Sequence, residues 1–165
     1  MIVVIAILAA ITIVSYNGIQ NRAYDSAVQA DLDATIKKLA LFTIDNNHYP
    51  TNIADLATLG IRISRSSYAT APTTPTNFTM CYSDDGSSIA IAALSKSGHA
   101  YYSFTQQDAS IHSLAEWYPN SATNRCKSIS DSLSNIDGSG TYRNYNGYSE
   151  ADTDTGPWRA WIGGN

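Results

Sequence analysis

Residues 1–21 read MIVVIAILAAITIVSYNGIQN and carry no charge, whereas all 10 basic and 14 acidic residues of this 165-residue chain lie from Arg22 onward. Within residues 1–14 the only polar side chain is that of Thr12. As a helix, residues 1–14 measure about 21 Å, which is less than the roughly 30 Å hydrocarbon core of a bilayer. A helix that is apolar on every side is nonetheless stable only in lipid or against copies of itself. The stretch therefore predicts membrane insertion or self-assembly.

The chain after Arg22 continues the same helix with an amphipathic pattern. Apolar residues recur every three or four positions and form one stripe, Tyr24, Val28, Leu32, Thr35 or Ile36, Leu39 and Phe42. Asp25 and Asp31 fall mostly off this stripe, as do Asp33 and Lys37, which form a favourable i, i+4 pair. The stripe must pack on a later part of the same chain.

We therefore expect one helix over residues 1–44, which has two parts. Residues 1–21 form an apolar membrane or assembly segment, and residues 22–44 pack on a globular head of residues 45–165. A cleaved secretory signal also contains an apolar run of 7–15 residues, but it begins with Lys or Arg. Here only Met1 precedes the run, and the helical pattern continues beyond it, so the signal peptide is the less favoured alternative.

The composition argues against several classes of function. Charged residues make up 15% of the chain and the net charge is −4, which excludes a nucleic-acid binder that works by bulk charge. No Gly-x-Ser-x-Gly, His-Glu-x-x-His or Gly-x-x-x-x-Gly-Lys motif is present. We therefore expect no catalytic residues, no direct nucleotide site and no enzymatic activity.

The sequence after the long helix predicts an α+β head. The helix ends within residues 45–50 (DNNHYP), because Asn tolerates left-handed backbone and proline disfavours a helical residue before it. Thr51 or Asn52 can cap a short helix that Gly60 ends. Residues 64–76, which contain two prolines, form a loop.

Three strands of an antiparallel meander are predicted next, over residues 77–83, 88–95 and 100–105. The middle strand, SIAIAALS, is apolar on both faces, which is typical of a central strand covered on both sides. The long helix covers one face of the sheet. Part of the C-terminal stretch must cover the other face, with a short helix expected around Ser110–Trp117.

The first 28 residues contain a familiar pattern. Residues 3–28, VVIAILAAITIVSYNGIQNRAYDSAV, closely resemble the N-terminal helix of type IV pilins and of type II secretion pseudopilins. Tyr49-Pro50 matches a Tyr-Pro that this family often carries after the helix. The resemblance implies an α+β fold in which a long N-terminal helix packs on a small antiparallel β-meander head. Beyond about residue 60 it rests on architecture and on a cysteine pair.

The resemblance also implies a function. The chain would be a structural subunit of a type IV pilus-like extracellular filament that serves surface attachment, twitching motility or DNA uptake. It would lie in the cell membrane before assembly and then in a cell-surface filament. Its partners would be copies of itself, other pilins, and the inner-membrane assembly machinery with its ATPase; DNA or a surface ligand would bind to the whole filament. The expected membrane and assembly residues are Ile2, Val3, Val4, Ile5, Ala6, Ile7, Leu8, Ala9, Ala10, Ile11, Ile13 and Val14.

Two departures from the family pattern are present. The family begins with a short basic leader, a Gly at the cleavage site and a Glu at the fifth position of the mature end, and none of these precedes Ile2. A longer apolar run would span a bilayer, so we expect Met1 to be an artificial or misassigned start. A genuine variant that cannot be processed is the alternative. In addition, Val14 stands where many members carry a Pro.

The only two cysteines, Cys81 and Cys126, are expected to form one disulfide in an extracytoplasmic protein. The pair also resembles the disulfide-bounded region of pilin heads. Two free thiols are the alternative.

Residues 128–165 form a polar tail that Trp158 and Trp161 are expected to anchor.

Other interpretations stay open. The chain could be a pseudopilin of a type II secretion system, or a membrane-anchored domain that binds a glycan or another ligand through Tyr and Trp. Asp152-x-Asp154-x-Gly156 resembles the first half of a calcium loop, and major pseudopilins bind calcium in a similarly placed loop. The missing third ligand and terminal Glu favour an ordinary Asp-rich turn over a calcium site, and no other cofactor or metal is expected. Asn77 begins a glycosylation sequon, but within a predicted strand.

Overall fold

In the computed structural model a single helix, α1 (Ile2–Asn46), runs through both the apolar and the amphipathic parts of the sequence. It ends at Asn47, which adopts a left-handed φ of 60° and donates its N–H to the carbonyl of Thr43 at 2.8 Å. Asparagine tolerates this conformation, as predicted from the DNNHYP sequence. The described residues are 2–69, 76–82, 87–105, 108–117, 126, 129, 143–146, 158–159 and 162–164.

The head begins with a short helix, α2 (Ile53–Thr58). Its N-cap is Asn52, whose side-chain oxygen accepts a hydrogen bond from the N–H of Asp55 at 2.9 Å, so the predicted cap is confirmed. Gly60 then adopts a φ of 54°, a conformation that favours glycine, and leads into the strand β1 (Ile61–Ile63).

The main sheet has five strands, β2 (Phe78–Tyr82), β3 (Ile89–Leu94), β4 (Ala100–Phe104), β5 (His112–Leu114) and β6 (Arg143–Asn146). All of them pair antiparallel, in the order β5-β4-β3-β2-β6. The predicted meander corresponds to β2, β3 and β4, and β3 is buried at every position, as expected for a central strand. The α+β fold with a long N-terminal helix is therefore confirmed.

Alternation along these strands divides the core into two layers. Met80 and Ile91, which are register partners on β2 and β3, face α1 and are fully buried. Cys81 and Tyr102 belong to the layer on the opposite face of the sheet. That second layer also contains Leu114, Cys126 and Ile129, so the C-terminal half covers the second face as predicted.

The short helix expected around Ser110–Trp117 is wrong. Residues His112–Leu114 form β5 instead, which pairs with the outer edge of β4 through Ala100 opposite Leu114. A helix there would have left the backbone groups of that edge without protein partners, and this tertiary pairing outweighs local helix propensity. His112 also lies over the ring of Tyr102, with centroids 5.4 Å apart.

A second, two-stranded sheet was not anticipated from the sequence. The strand β7 (Ile162–Gly164) pairs in parallel with β1, which itself packs against α1. Arg65 donates to the carbonyl of Ile162 at 2.6 Å and lies 5.4 Å from the ring of Trp158. Trp158 also packs edge-on against Tyr68, so it anchors the tail as predicted, whereas Trp161 lies outside the described residues.

Candidate functional site: the N-terminal segment and its junction with the head

The first part of α1 exposes apolar side chains. Ala6 and Ala10 are exposed, while Ile2, Ala9 and Val14 lie in the helix with side chains outside the described part. The larger residues, which are between 55% and 69% exposed, are Val3, Val4, Ile5, Ile7, Leu8, Ile11, Ile13, Tyr16 and Ile19. Their role in assembly or membrane insertion stays a prediction.

This segment has the length and polarity of a membrane span. Among the described residues one helix qualifies, with a mean hydropathy of 1.9 over its most apolar window, and none of that window is buried. The uncharged helical stretch from Ile2 to Asn21 measures about 30 Å, because it adds the mostly polar residues 15–21 (SYNGIQN) to the apolar stretch of about 21 Å. The hydroxyl of Thr12 donates to the carbonyl of Leu8 at 2.7 Å, so this polar group has a partner within the helix.

The second part of α1 packs on the sheet with the predicted stripe. Val28, Leu32 and Leu39 are fully buried, and Thr35 and Ile36 are nearly so. The stripe is therefore confirmed from Val28 to Leu39, whereas Tyr24 and Phe42 at its two ends are half-buried. Such burial stabilises by about 1.5–3 kcal/mol for each large apolar side chain. The predicted pair of Asp33 and Lys37 is also present, at 2.6 Å on the exposed side of the helix.

Asp31 connects the middle of α1 to the head. Its carboxylate accepts hydrogen bonds from the N–H of Ser64 at 2.7 Å and from the hydroxyl of Tyr68 at 3.1 Å. Burial raises the pKa of Asp31 more than these hydrogen bonds lower it. Burial and the neighbouring carboxylate also raise the pKa of Tyr68 well above its ordinary value. The tyrosine therefore remains a neutral donor.

Asp25 connects α1 to the turn between β3 and β4. It lies shortly after the exposed apolar segment, which ends at Ile19. It accepts a hydrogen bond from the hydroxyl of Ser97, and its other oxygen lies 2.8 Å from Nδ1 of His99. Burial raises the pKa of Asp25, but hydrogen bonds from Ser97, His99 and Ser95 outweigh it and lower the pKa. Sequence patterning placed Asp25 and Asp31 off the packed stripe, whereas the structure shows both binding the head at its margins.

Cys81 of β2 and Cys126 form the predicted disulfide, with their Cα atoms 5.6 Å apart. The bond closes a long loop, and the chain-entropy relation assigns about 4 kcal/mol to a loop of that length. Asn77, the start of the sequon, is fully buried and donates its side-chain amide to the carbonyl of Ala69. The folded head therefore does not present it for glycosylation.

The described part of the chain contains no group of three His, Cys, Asp or Glu residues that could hold a metal ion. Asp152 and Asp154, the candidate calcium ligands, lie outside it. One open groove of about 470 Å³ lies between the end of α1 and α2, and one of about 330 Å³ follows the start of β4. The second is bordered by His99, Tyr101 and Trp117.

A long helix with an exposed apolar part and a buried part, laid on an antiparallel head with one disulfide, is the architecture of type IV pilin-like proteins. A comparison with characterised proteins agrees. Over 61 residues the chain is 41% identical to the type IV wide pilus major component PilA4 of Thermus thermophilus.

The similarity covers 37% of this chain and 47% of PilA4, so the chain spans about half the length of this relative. No protein-family model and no solved structure matches the chain. The resemblance to type IV pilins is thus confirmed by a relative and by the architecture.

Proposed function

We propose that this chain is a structural subunit of a type IV pilus-like extracellular filament. The observation that carries the proposal is the contrast within α1. Its described large apolar residues from Val3 to Ile19 are at least 55% exposed, whereas Leu32 and Leu39 are fully buried. Exposed apolar surface costs roughly 25 cal/mol per Å², so the segment requires lipid or protein cover. The likeness to PilA4, described as the major component of a type IV wide pilus, supports a filament.

In this proposal the segment lies in the cell membrane before assembly and in a bundle of copies afterwards. Lipid contacts are exchanged for helix–helix contacts, and the small residues Ala6 and Ala10 allow the helices to approach closely. Copies of the chain and other pilins are the direct partners. Inner-membrane machinery with an ATPase supplies the energy, and the head performs no catalysis. Attachment, twitching and DNA uptake are functions of the whole filament at the cell surface.

The experiment replaces Ile7, which is 55% exposed, with Asp in the full gene product. A charge within a membrane span is unfavourable, by as much as about 2.5–3.5 kcal/mol at the centre of the span. We expect Ile7→Asp to abolish surface filaments and to reduce the amount of chain in the membrane fraction. Ser66→Glu, which adds a charge at an exposed position of the head, should preserve both.

Each other outcome identifies an alternative. Short filaments confined to the periplasm would support a secretion pseudopilin. A secreted monomer that binds a glycan would support a ligand-binding domain and contradict the proposal. Binding of Ca²⁺ to the predicted loop at Asp152 and Asp154 is measured separately, by calorimetry on the chain with and without Asp154→Asn.

A further inference from the structure

The charged residues of α1 differ in whether they have a partner. Seven residues of α1 are charged, and of these only Arg22 and Asp45 have no hydrogen bond or ion pair within the part of the chain that the structure describes. The other five pair within the chain, Asp25 with His99, Asp31 with Ser64 and Tyr68, Asp33 with Lys37, and Lys38 with the carbonyl of Gly60.

Each unpaired charge lies beside exposed apolar residues. Tyr16 and Ile19 are 60% and 67% exposed. Tyr16 lies three positions before Ile19, and Ile19 lies three positions before Arg22, so successive members are neighbours on the helix surface and the three span about 120° around its axis. We name these three residues the proximal patch. Near the other end of α1, Leu41 and Ile44 are 63% and 74% exposed and lie within one turn of Asp45. Leu41, Ile44 and Asp45 are the distal patch.

The two patches cannot meet within one copy. Arg22 and Asp45 are 23 positions apart on one continuous helix, which separates them by about 35 Å along its axis. They can meet between two parallel copies that are displaced by that distance. Such a contact is heterologous, because it leaves the opposite patch of each copy free for the next one, and it therefore repeats along a filament.

We propose that the proximal patch of one copy docks on the distal patch of another, with Arg22 against Asp45. This inference rests on the proposed self-assembly and adds its register. Apolar contact through Tyr16 and Ile19 covers Leu41 and Ile44. The opposite charges select this displacement, because electrostatic complementarity contributes more to specificity and register than to affinity. Leu41 and Asp45 also line the open groove between the end of α1 and α2, so the head does not cover them.

The first test is cross-linking between copies of the full gene product. One copy carries Arg22→Cys and another Asp45→Cys, and the native cysteines do not compete because they form a disulfide. We expect a mixed dimer when the two copies are produced together. The matched control is Lys37→Cys, an exposed position of the same helix that should not cross-link to residue 22. Cross-linking of residue 45 to itself, or none with residue 22 in assembled filaments, would overturn the proposal.

The second test exchanges the charges. Arg22→Glu and Asp45→Lys should each lower filament yield about fivefold, and their combination should restore at least half of it. Lys37→Glu controls for charge reversal at an exposed site whose partner is in the same copy. If the unsubstituted chain forms filaments and the combined variant shows no recovery, this docking is wrong while the proposed function stands. If the unsubstituted chain forms no filaments, the proposed function itself fails.

Discussion

Truncating one leucine on each side of α1 separates the packed face of the helix from its free face. Leu32 has no exposed surface and lies in the core layer between α1 and the sheet, whereas Leu41 is 63% exposed. Leu32→Ala removes buried apolar groups and leaves a cavity, which costs about 2–5 kcal/mol in comparable cores. We expect a loss of about 3 kcal/mol for Leu32→Ala and less than about 0.5 kcal/mol for Leu41→Ala.

The assay is denaturant unfolding of the detergent-solubilised chain, followed by tryptophan fluorescence. Trp117 and Trp158 both pack within the head, so their emission reports its unfolding. Detergent keeps the exposed segment dispersed and lets the head unfold as a single copy. Equal losses for the two variants would show that α1 does not pack on the sheet through the stripe that contains Leu32.

Three further outcomes are expected. Replacing Cys81 and Cys126 by Ser should lower the free energy of unfolding by about 4 kcal/mol, and an unchanged denaturation midpoint would contradict the structural role of the disulfide. The pKa of Asp25 is lower in the folded head than its ordinary value of 3.8, so unfolding takes up a proton in acid. The free energy of unfolding should therefore fall as the pH drops through 3.8 and below. Asp25→Asn should weaken this dependence on pH, which denaturation curves measured at a series of acidic pH values would show. Mass spectrometry of the secreted or surface chain should find Asn77 unmodified, and a glycan there would show that this side chain is exposed before the head folds.

The parts of the fold that local patterning determines could be predicted from the sequence. The three-and-four spacing of Val28, Leu32 and Leu39 identified the packed face, because helical geometry alone fixes which positions share a side. Strand alternation likewise placed Cys81 on the face of β2 opposite to Met80 and Tyr82. It therefore indicated that the disulfide partner of Cys81 lies in the segment that covers that face. The cap at Asn52 follows from chemistry within four residues.

The remaining features depend on contacts between distant parts of the chain. β5 formed because β4 offered an open edge, and β1 pairs with a strand about a hundred positions later. Asp25 and Asp31 look like ordinary solvated charges in the sequence, since neither Ser97 nor Tyr68 is near them in the chain. The only available signal was their position at the margins of the apolar stripe.

Sedimentation of the intact gene product before and after detergent removal tests the central claim directly. That claim is that other copies cover the exposed part of α1 when no lipid or detergent does. In detergent we predict single copies. After its removal we predict sedimenting assemblies of many copies, in which hydrogen exchange at Ile5–Ile13 is slower than in dispersed single copies because these residues become buried between helices. Single copies that stay dispersed in water with rapid exchange across the same residues would contradict the proposed assembly.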